Sequence, residues 1–242
     1  TFGPRLENTI TLCPRWKNPI NPIYLAVDNK LFTLSKHSFE ILSLDLLSPV
    51  PPDRSGRVRW SWEVLTKQPF KVRNVTSYAL NPYSQSFLVS TTKKAIADTF
   101  AFDTVKLSWK QVGKWALPFH GRAEHVPELG LSFALSADSP HRLCALDCTT
   151  MRSAHGGPLA LRHTFDRLDL PEEKWSPYKR HLVSLGAGSF CVVSFCKAMK
   201  REFVVLTGVE VKPCNNGDGP LRMIKHLSKH CSLGSHRINC VL

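Results

Sequence analysis

The chain has 242 residues, 43% of them hydrophobic and 10% aromatic, which is enough to bury a core in one large domain or two small ones. A charged fraction of 21% with ordinary Gly and Pro counts excludes global disorder. The longest apolar runs, Phe190–Phe195 and Phe203–Leu206, are strand-sized and fall far short of the roughly 20 residues a spanning helix needs.

The N-terminus shows no basic start followed by an apolar stretch, so no secretory signal is visible. The chain opens on Thr1 rather than Met, which marks it as a candidate fragment of a longer protein. The formal net charge is +13 and it is unevenly spread. Residues 1–70 carry 9 basic and 6 acidic residues, 71–174 carry 13 and 10, and 175–242 carry 10 and 3. The excess sits at Lys197, Lys200, Arg201, Lys212, Arg222, Lys225 and Lys229. No run of five like charges occurs, so the first reading of this excess is a solvated basic surface.

In chain order, residues 1–21 contain Pro4, Pro14 and Pro19 and read as a linker or the remnant of a preceding blade. Four units follow, at about 22–70, 71–119, 122–170 and 180–227. Each is built around a short apolar segment closing on Ser: Leu31–Ser35, Ser86–Ser90, Ser132–Ser136 and Ser189–Ser194. Phe32, Phe87, Phe133 and Phe190 are expected to hold equivalent buried positions in these segments.

A strand precedes each segment and ends in turn chemistry. Ile23–Val27 runs into Asp28-Asn29, Val75–Leu80 into Asn81-Pro82, His125–Leu129 into Gly130, and His181–Leu185 into Gly186-Ala-Gly188. A third strand follows at Phe39–Leu44, Thr99–Phe102, Arg142–Leu146 and Phe203–Val211. A fourth follows at Arg57–Leu65, Leu107–Val112, Leu161–Leu168 and Leu221–Leu227. The stretch from Pro171 to Tyr178 is expected to make one turn or a short helix at most. Residues 228–242 read as a basic tail containing His and Cys, poorly packed like residues 1–21.

Four strands in roughly 50 residues is the period of kelch-type blades. The expected fold is therefore an all-β, kelch-like β-propeller of about four four-stranded blades, an incomplete or open ring. A two-sheet sandwich also uses many short strands, but it does not call for a four-strand unit recurring at a near-constant period.

Several stretches resemble a plant family, expanded in grasses, catalogued as domain of unknown function 1668. They are Leu31-Phe-Thr-Leu-Ser-Lys-His-Ser-Phe-Glu40, Val75–Pro82, Thr99-Phe-Ala-Phe-Asp-Thr104 with Trp109, Gly113–Phe119 and Gly121-Arg-Ala123. Glu128-Leu129 and Leu143–Cys148 fit less tightly, and the resemblance covers roughly residues 22–210. It implies a kelch-like fold and no established activity. The chain departs from the family pattern at Asn81–Gln85, where a Pro-Asp-Gly turn is usual, and at Gly130-Leu-Ser.

Chemistry-bearing residues are few. His226, His230, Cys231, His236 and Cys240 have zinc-ligand chemistry but lack a tight Cys-x2–4-Cys pair, and Cys144-x3-Cys148 has no partner pair nearby. Tyr24, Tyr78, Tyr83 and Tyr178 belong to packing rather than to a copper site at a propeller axis. Gly186-Ala-Gly-Ser189 lacks the second Gly of a nucleophile elbow. No phosphate-binding Gly-rich motif occurs. Asn74-Val-Thr76 is a glycosylation sequon by chance. Trp175, Tyr178, Phe190, Phe195 and Phe203 fall among the basic residues of the last quarter, but most lie in core-type runs.

The expectation is thus no catalytic, cofactor or metal site. The function expected is a non-catalytic scaffold for an unknown protein partner, in the cytoplasm or nucleus where the 8 cysteines stay reduced. The alternative is an anionic ligand, nucleic acid or membrane surface, held by the basic last quarter, and an enzyme with a propeller-axis site ranks last. Ser48–Gly56, Ala116–Pro127 and Cys214–Pro220 are the loops expected to carry recognition.

Overall fold

The computed structural model describes residues 22–36, 38–43, 62–138, 141–152, 158–165, 168, 170, 175–198, 201–214 and 220–232. It divides into two compact units, residues 1–68 and 69–242. The sequence expectations at 1–21, Ser48–Gly56, Trp60, His236 and Cys240 lie outside the described residues.

The first unit holds one antiparallel meander: β1 (Ile23–Val27), β2 (Lys30–Leu34), β3 (Phe39–Ser43) and β4 (Trp62–Val64). The Asp28-Asn29 turn works as its residue types predict, with Asp28 at φ 50°. Phe32 lies directly across from Leu25 and Ile41, and all three are buried. Ser35 closes β2 by accepting from the Ser38 N–H at 3.0 Å, and its own carbonyl accepts from Gln68 Nε2 at 3.4 Å.

The second unit holds two sheets. The larger has eight strands and comprises two meanders. One is β5 (Val75–Leu80), β6 (Ser86–Lys93), β7 (Ile96–Asp103) and β8 (Ser108–Gly113). The other is β9 (Phe119–Val126), β10 (Leu131–Ser136), β11 (Leu143–Asp147) and β12 (Ala160–Thr164). They join through their first strands, β5 and β9, which pair in parallel at Ser77–Gly121, Tyr78–Arg122 and Ala79–Ala123. Successive first strands running parallel are what radial repetition about an axis produces. The fourth meander is β13 (Ser176–Gly186), β14 (Ser189–Ala198), β15 (Arg201–Pro213) and β16 (Leu221–Ser232). Three short 3-10 turns are the only helical elements among the described residues. The chain is all-β, with four four-stranded blades in tandem.

Packing explains why the second strands were readable. On β10, Phe133 and Leu135 face one core cluster and Ala134 faces another. On β11, Leu143 and Ala145 share the first cluster while Cys144 and Leu146 share the second. A blade between two neighbours buries both faces, so its strands are apolar without alternation. Phe32, Phe87, Phe133 and Phe190 all lie on second strands, each with 0% exposure. The Phe133 and Phe190 rings meet at 5.2 Å and tie blade three to blade four.

Several expectations need correction. Ala116–Pro127 is not a loop: residues 119–126 form β9, the first strand of blade three. The strand expected at His125–Leu129 is only its end, and Pro127–Leu129 form a 3-10 turn. Two features hid β9. Gly121 takes φ 75°, and the β9–β10 register shifts between Phe133 and Leu135, so period-2 alternation breaks inside the strand. Trp175–Tyr178 lead into β13 rather than into a helical turn. Residues 228–232 are not tail: β16 continues to Ser232, pairing Ser228–Ser232 with Phe203–Thr207. Residues 233–242 lie outside the described residues.

Candidate functional site

Blade four differs from the others in strand length. β13–β16 have 11, 10, 13 and 12 residues, against 3–8 elsewhere. Its inner strands are rich in β-branched residues that fit a pleated surface on both sides. Val205 and Val209 face one side and Val193 and Val204 the other. A long ladder on β15 draws β16 along with it, because each added pair satisfies backbone groups on both strands.

β16 ends the sheet order, so its outer edge is not paired within that sheet. Its side chains are mostly in solvent: Arg222, Lys225, His226, Leu227, Lys229, His230 and Ser232 are exposed. Leu227 is 91% exposed, at a register shift opposite Gly208. Across the β15–β16 ladder, Glu210 is an acid among the described residues. Its carboxylate contacts Lys212 Nζ at 2.8 Å and His226 Nε2 at 3.5 Å. The Lys212 hydrogen bond, with His226, holds the Glu210 carboxyl below the usual range. The edge is therefore a cationic strip with one exposed leucine in it.

The ligand-type residues of this strip are separated by strand geometry. His226 turns to Glu210. His230 packs on Trp175 and Phe203, with ring centroids 5.2 and 4.8 Å away. Cys231 follows His230 directly, and successive side chains of a strand point to opposite faces. Cys144 and Cys148 both face the blade two–three core, where burial pushes the Cys144 thiol up to about 12 and also raises Cys148. Cys144 Sγ donates to the Ala134 carbonyl at 3.3 Å. Among the described residues no group of three or more His, Cys, Asp or Glu is placed to hold a metal ion.

The remaining candidates are spread over strands and turns. Tyr24 is on β1, Tyr78 on β5, Tyr83 in the β5–β6 turn and Tyr178 on β13. Gly186-Ala-Gly188 is the β13–β14 hairpin turn, with φ of 91°, 47° and 75°. Thr76 of the sequon donates its hydroxyl to the Ser90 carbonyl at 3.4 Å. Phe190, Phe195 and Phe203 are buried, and of the aromatics in this quarter Tyr178 is the one widely exposed, at 57%.

Two buried polar chains escaped the sequence reading. In blade two Thr99 Oγ1 donates to the Trp115 carbonyl at 2.6 Å, and the Leu117 N–H donates to Ser90 Oγ at 3.0 Å. Ser90 must then donate to Thr99 Oγ1, 2.6 Å away, so the Gly113–Phe119 stretch is keyed to the blade core. In blade three Cys148 Sγ donates to Ser132 Oγ at 3.1 Å, and Ser132 meets His125 Nδ1 at 3.1 Å. Ser132 is 2% exposed, so this pair locks β9, β10 and the end of β11 rather than presenting a nucleophile.

The family model described as "Protein of unknown function (DUF1668)" matches residues 2–232. The chain belongs to this family. The match extends past the 22–210 span of the sequence resemblance at both ends and includes β16. No curated protein matches the chain. Among solved structures it is similar to the β-propeller domain of Cps50 (Swd1) from Myceliophteria thermophila, with 13% identity and a TM-score of 0.37, over 83% of this chain and 57% of that one. It is also similar to TolB from Acinetobacter baumannii, with 13% identity and a TM-score of 0.38, over 84% and 44%. The chain thus spans about half the length of these structures. No helix among the described residues is long and apolar enough to cross a membrane.

Proposed function

We propose that the chain is a non-catalytic protein–protein interaction scaffold that holds an acidic partner segment on the outer edge of blade four. The observation that carries this reading is β16, a 12-residue edge strand lined by cations around an exposed Leu227. Edge lysines discourage pairing with a like-charged copy of the same edge, and they favour an extended acidic strand. Leu227 supplies an apolar anchor of the kind that dominates binding energy at interfaces. The Asp147, Ser132 and Cys148 groups are engaged internally, which supports a role without catalysis. Buried thiols at Cys144, Cys148 and Cys196 favour a reducing compartment, the cytoplasm or nucleus.

The second reading, an anionic polymer on the same strip, rests on the charge of Arg222, Lys225 and Lys229. Fluorescence anisotropy with a 12-residue peptide of alternating Glu and Val, beside a 20-nucleotide single strand, separates the two. The scaffold reading expects saturable peptide binding that Leu227→Asp abolishes. It also expects single-strand binding that disappears between 50 and 200 mM salt. Tight single-strand binding that ignores Leu227→Asp and falls with the number of cations removed would replace the scaffold with a polymer-binding surface.

A further inference from the structure

The two ends of blade two differ in charge. One end holds the β5–β6 turn at 81–85, which has no charged residue, and the β7–β8 turn, where Asp103 meets Lys106 Nζ at 3.9 Å. Those two charges cancel. The other end gathers Lys71 and Arg73 ahead of β5, Lys93 and Lys94 where β6 turns into β7, and Lys114 just after β8. All five are exposed. Among the described residues of blade two the acid at this end is Asp98, and its Oδ1 accepts from Gln111 Nε2 at 2.7 Å. Five cations less one carboxylate leave an excess of four positive charges.

Strand register arranges these cations. β5 begins at Val75, opposite Thr91, and β8 ends at Gly113, opposite Thr99. The pairs Thr92–Ala97 and Lys93–Ile96 therefore lie past the ends of both neighbouring strands. Two rungs at about 3.4 Å per residue carry the β6–β7 hairpin roughly 7 Å beyond those strands. Thr92, Lys93, Lys94, Ala95 and Ile96 are all exposed, Ile96 by 67%. The 3-10 turn Val72–Asn74 packs on β6, so Lys71 and Arg73 flank the hairpin on one side. Lys114 flanks it on the other, past the last β8 pair. Three strand spacings of about 4.8 Å separate the outer strands, so the five cations share a strip about 15 Å wide.

The tip is built against its own local preference. Lys94 and Ala95 have φ of 47° and 66°, which Asn-Gly would adopt with less strain. Ile96, directly opposite Lys93, is a large apolar side chain set in water. Neither choice helps the fold, and retained strain clusters at functional positions. A lone exposed Ile is ordinary, but one on a projecting, strained and basic hairpin has the makeup of an interfacial anchor.

Shape and chemistry select the partner. A projecting tip meets a flat surface more readily than it fills a groove. Its reach matches the roughly 5–10 Å depth to which interfacial apolar groups bury in a bilayer. Nucleic-acid phosphates reward the lysines and leave Ile96 idle, because bases are read by hydrogen bonds and aromatic stacking. An anionic bilayer rewards both, with headgroups for the cations and the acyl boundary for Ile96. We propose that this end of blade two docks on a membrane surface rich in anionic phospholipid, with Ile96 inserted and Lys71, Arg73, Lys93, Lys94 and Lys114 on the headgroups. The β16 edge takes no part in it.

The test is co-sedimentation of the full chain with large unilamellar vesicles at about 100 mM salt, close to a Debye length of 10 Å. Vesicles of three parts phosphatidylcholine to two parts phosphatidylserine should bind with half-saturation near ~0.1 mM accessible lipid, at about fivefold per cation. Pure phosphatidylcholine should not bind measurably. Lys93→Gln with Lys94→Gln should weaken binding about 25-fold. Ile96→Ser should weaken it at least about fivefold. Lys225→Gln with Lys229→Gln, on β16, should change it by less than about threefold, because that pair stays off the headgroups. These side chains are exposed, so melting temperatures should stay the same. Lys94→Asn with Ala95→Gly separates contact from fold: it should raise the melting temperature and still weaken vesicle binding about fivefold. Absence of binding to the phosphatidylserine vesicles, or equal losses from the β6–β7 and β16 pairs, would overturn the proposal. Vesicle binding that Ile96→Ser leaves intact, beside oligonucleotide binding that Lys93→Gln weakens, would replace the membrane with a nucleic acid.

Discussion

Blades two and three form one continuous eight-stranded sheet, whereas blade four is a sheet of its own that meets blade three face to face. The two regions solve the same packing problem with different side chains. Blade two uses short strands and specific keys. Phe87, Phe102 and Trp109 interlock with ring centroids 4.8–5.6 Å apart, Phe70 covers Trp109 edge-on at 5.1 Å, and the Ser90–Thr99 chain fixes the exit loop. Blade four uses longer strands filled with valine, and its stability comes from ladder length and from Phe190 seated against Phe133. The lesson is that a repeat can keep one anchor, the second-strand Phe, and vary everything around it. The region built on a long ladder carries the exposed edge, because its order does not depend on covering that edge.

The comparison breaks first at the anchors. Phe190→Ala and Phe133→Ala should each cost about 3–5 kcal/mol in denaturant unfolding, because both rings are fully buried. The two should be non-additive by about 0.5–1.5 kcal/mol, since the rings touch. Phe87→Ala with Phe190→Ala, on different blades, should add within about 0.5 kcal/mol. Equal coupling in both pairs would mean that blades two and four are not distinct packing units.

The next effect separates the hairpins. Gly188 has φ 75°, and a Cβ placed there would lie 2.7 Å from the Val211 carbonyl oxygen, whose residue also donates its N–H to Gly188 at 2.8 Å. Gly188→Ala should cost about 2–3 kcal/mol, combining backbone strain with that clash. A cost below about 0.5 kcal/mol would show that the blade-four hairpin yields rather than holding rigid.

Acid should unfold the two regions in different windows. His181 in blade four is neutral when folded, and its affinity for a proton is lowered to about 4 by burial, Lys179 and His120. The unfolded chain takes that proton near pH 6.5, so the stability is full above 6.5 and is lost as pH falls toward 4. The loss should be on the order of 1–2 kcal/mol once the part-exposed ring is allowed for. Asp147 in blade three behaves differently. Hydrogen bonds from Thr149 and then Arg162 hold its carboxyl at about 2. That stability is present above about pH 4 and is lost between about 4 and 2, again about 1–2 kcal/mol because Arg162 is largely exposed. Amide exchange at pH 5 should therefore show β13–β14 loosened while β10–β11 remain protected. His181→Gln should remove the upper window and leave the lower one. Simultaneous loosening of both blades at pH 5 would refute the division.

The smallest effect has the opposite sign. The β6–β7 hairpin turns through Lys94-Ala95, with φ of 47° and 66°, a two-residue turn whose positive dihedrals suit Asn-Gly far better. Lys94→Asn with Ala95→Gly should stabilise by about 0.5–1 kcal/mol and raise the melting temperature by a few degrees. An unchanged or lower melting temperature would show that the turn is not strained.

What the sequence determined by itself was the repeat: four second strands, their buried Phe residues, and the Asp28-Asn29 and Gly186–Gly188 turns. These were legible because a blade strand buried on both faces is written as a local apolar run, and a positive φ is written as a local residue type. The tertiary structure alone decided other features. β9 was hidden because Gly121 and a register shift interrupt its alternation, and only pairing with β5 and β10 makes it a strand. β16 reaches Ser232 because β15 offers a ladder to pair with, although Ser228–Ser232 carry no strand pattern of their own. His120 and His141 are unremarkable one at a time. Their rings meet at 5.3 Å because the β10–β11 connection passes the start of β9, and contacts between distant segments leave no local mark in a sequence.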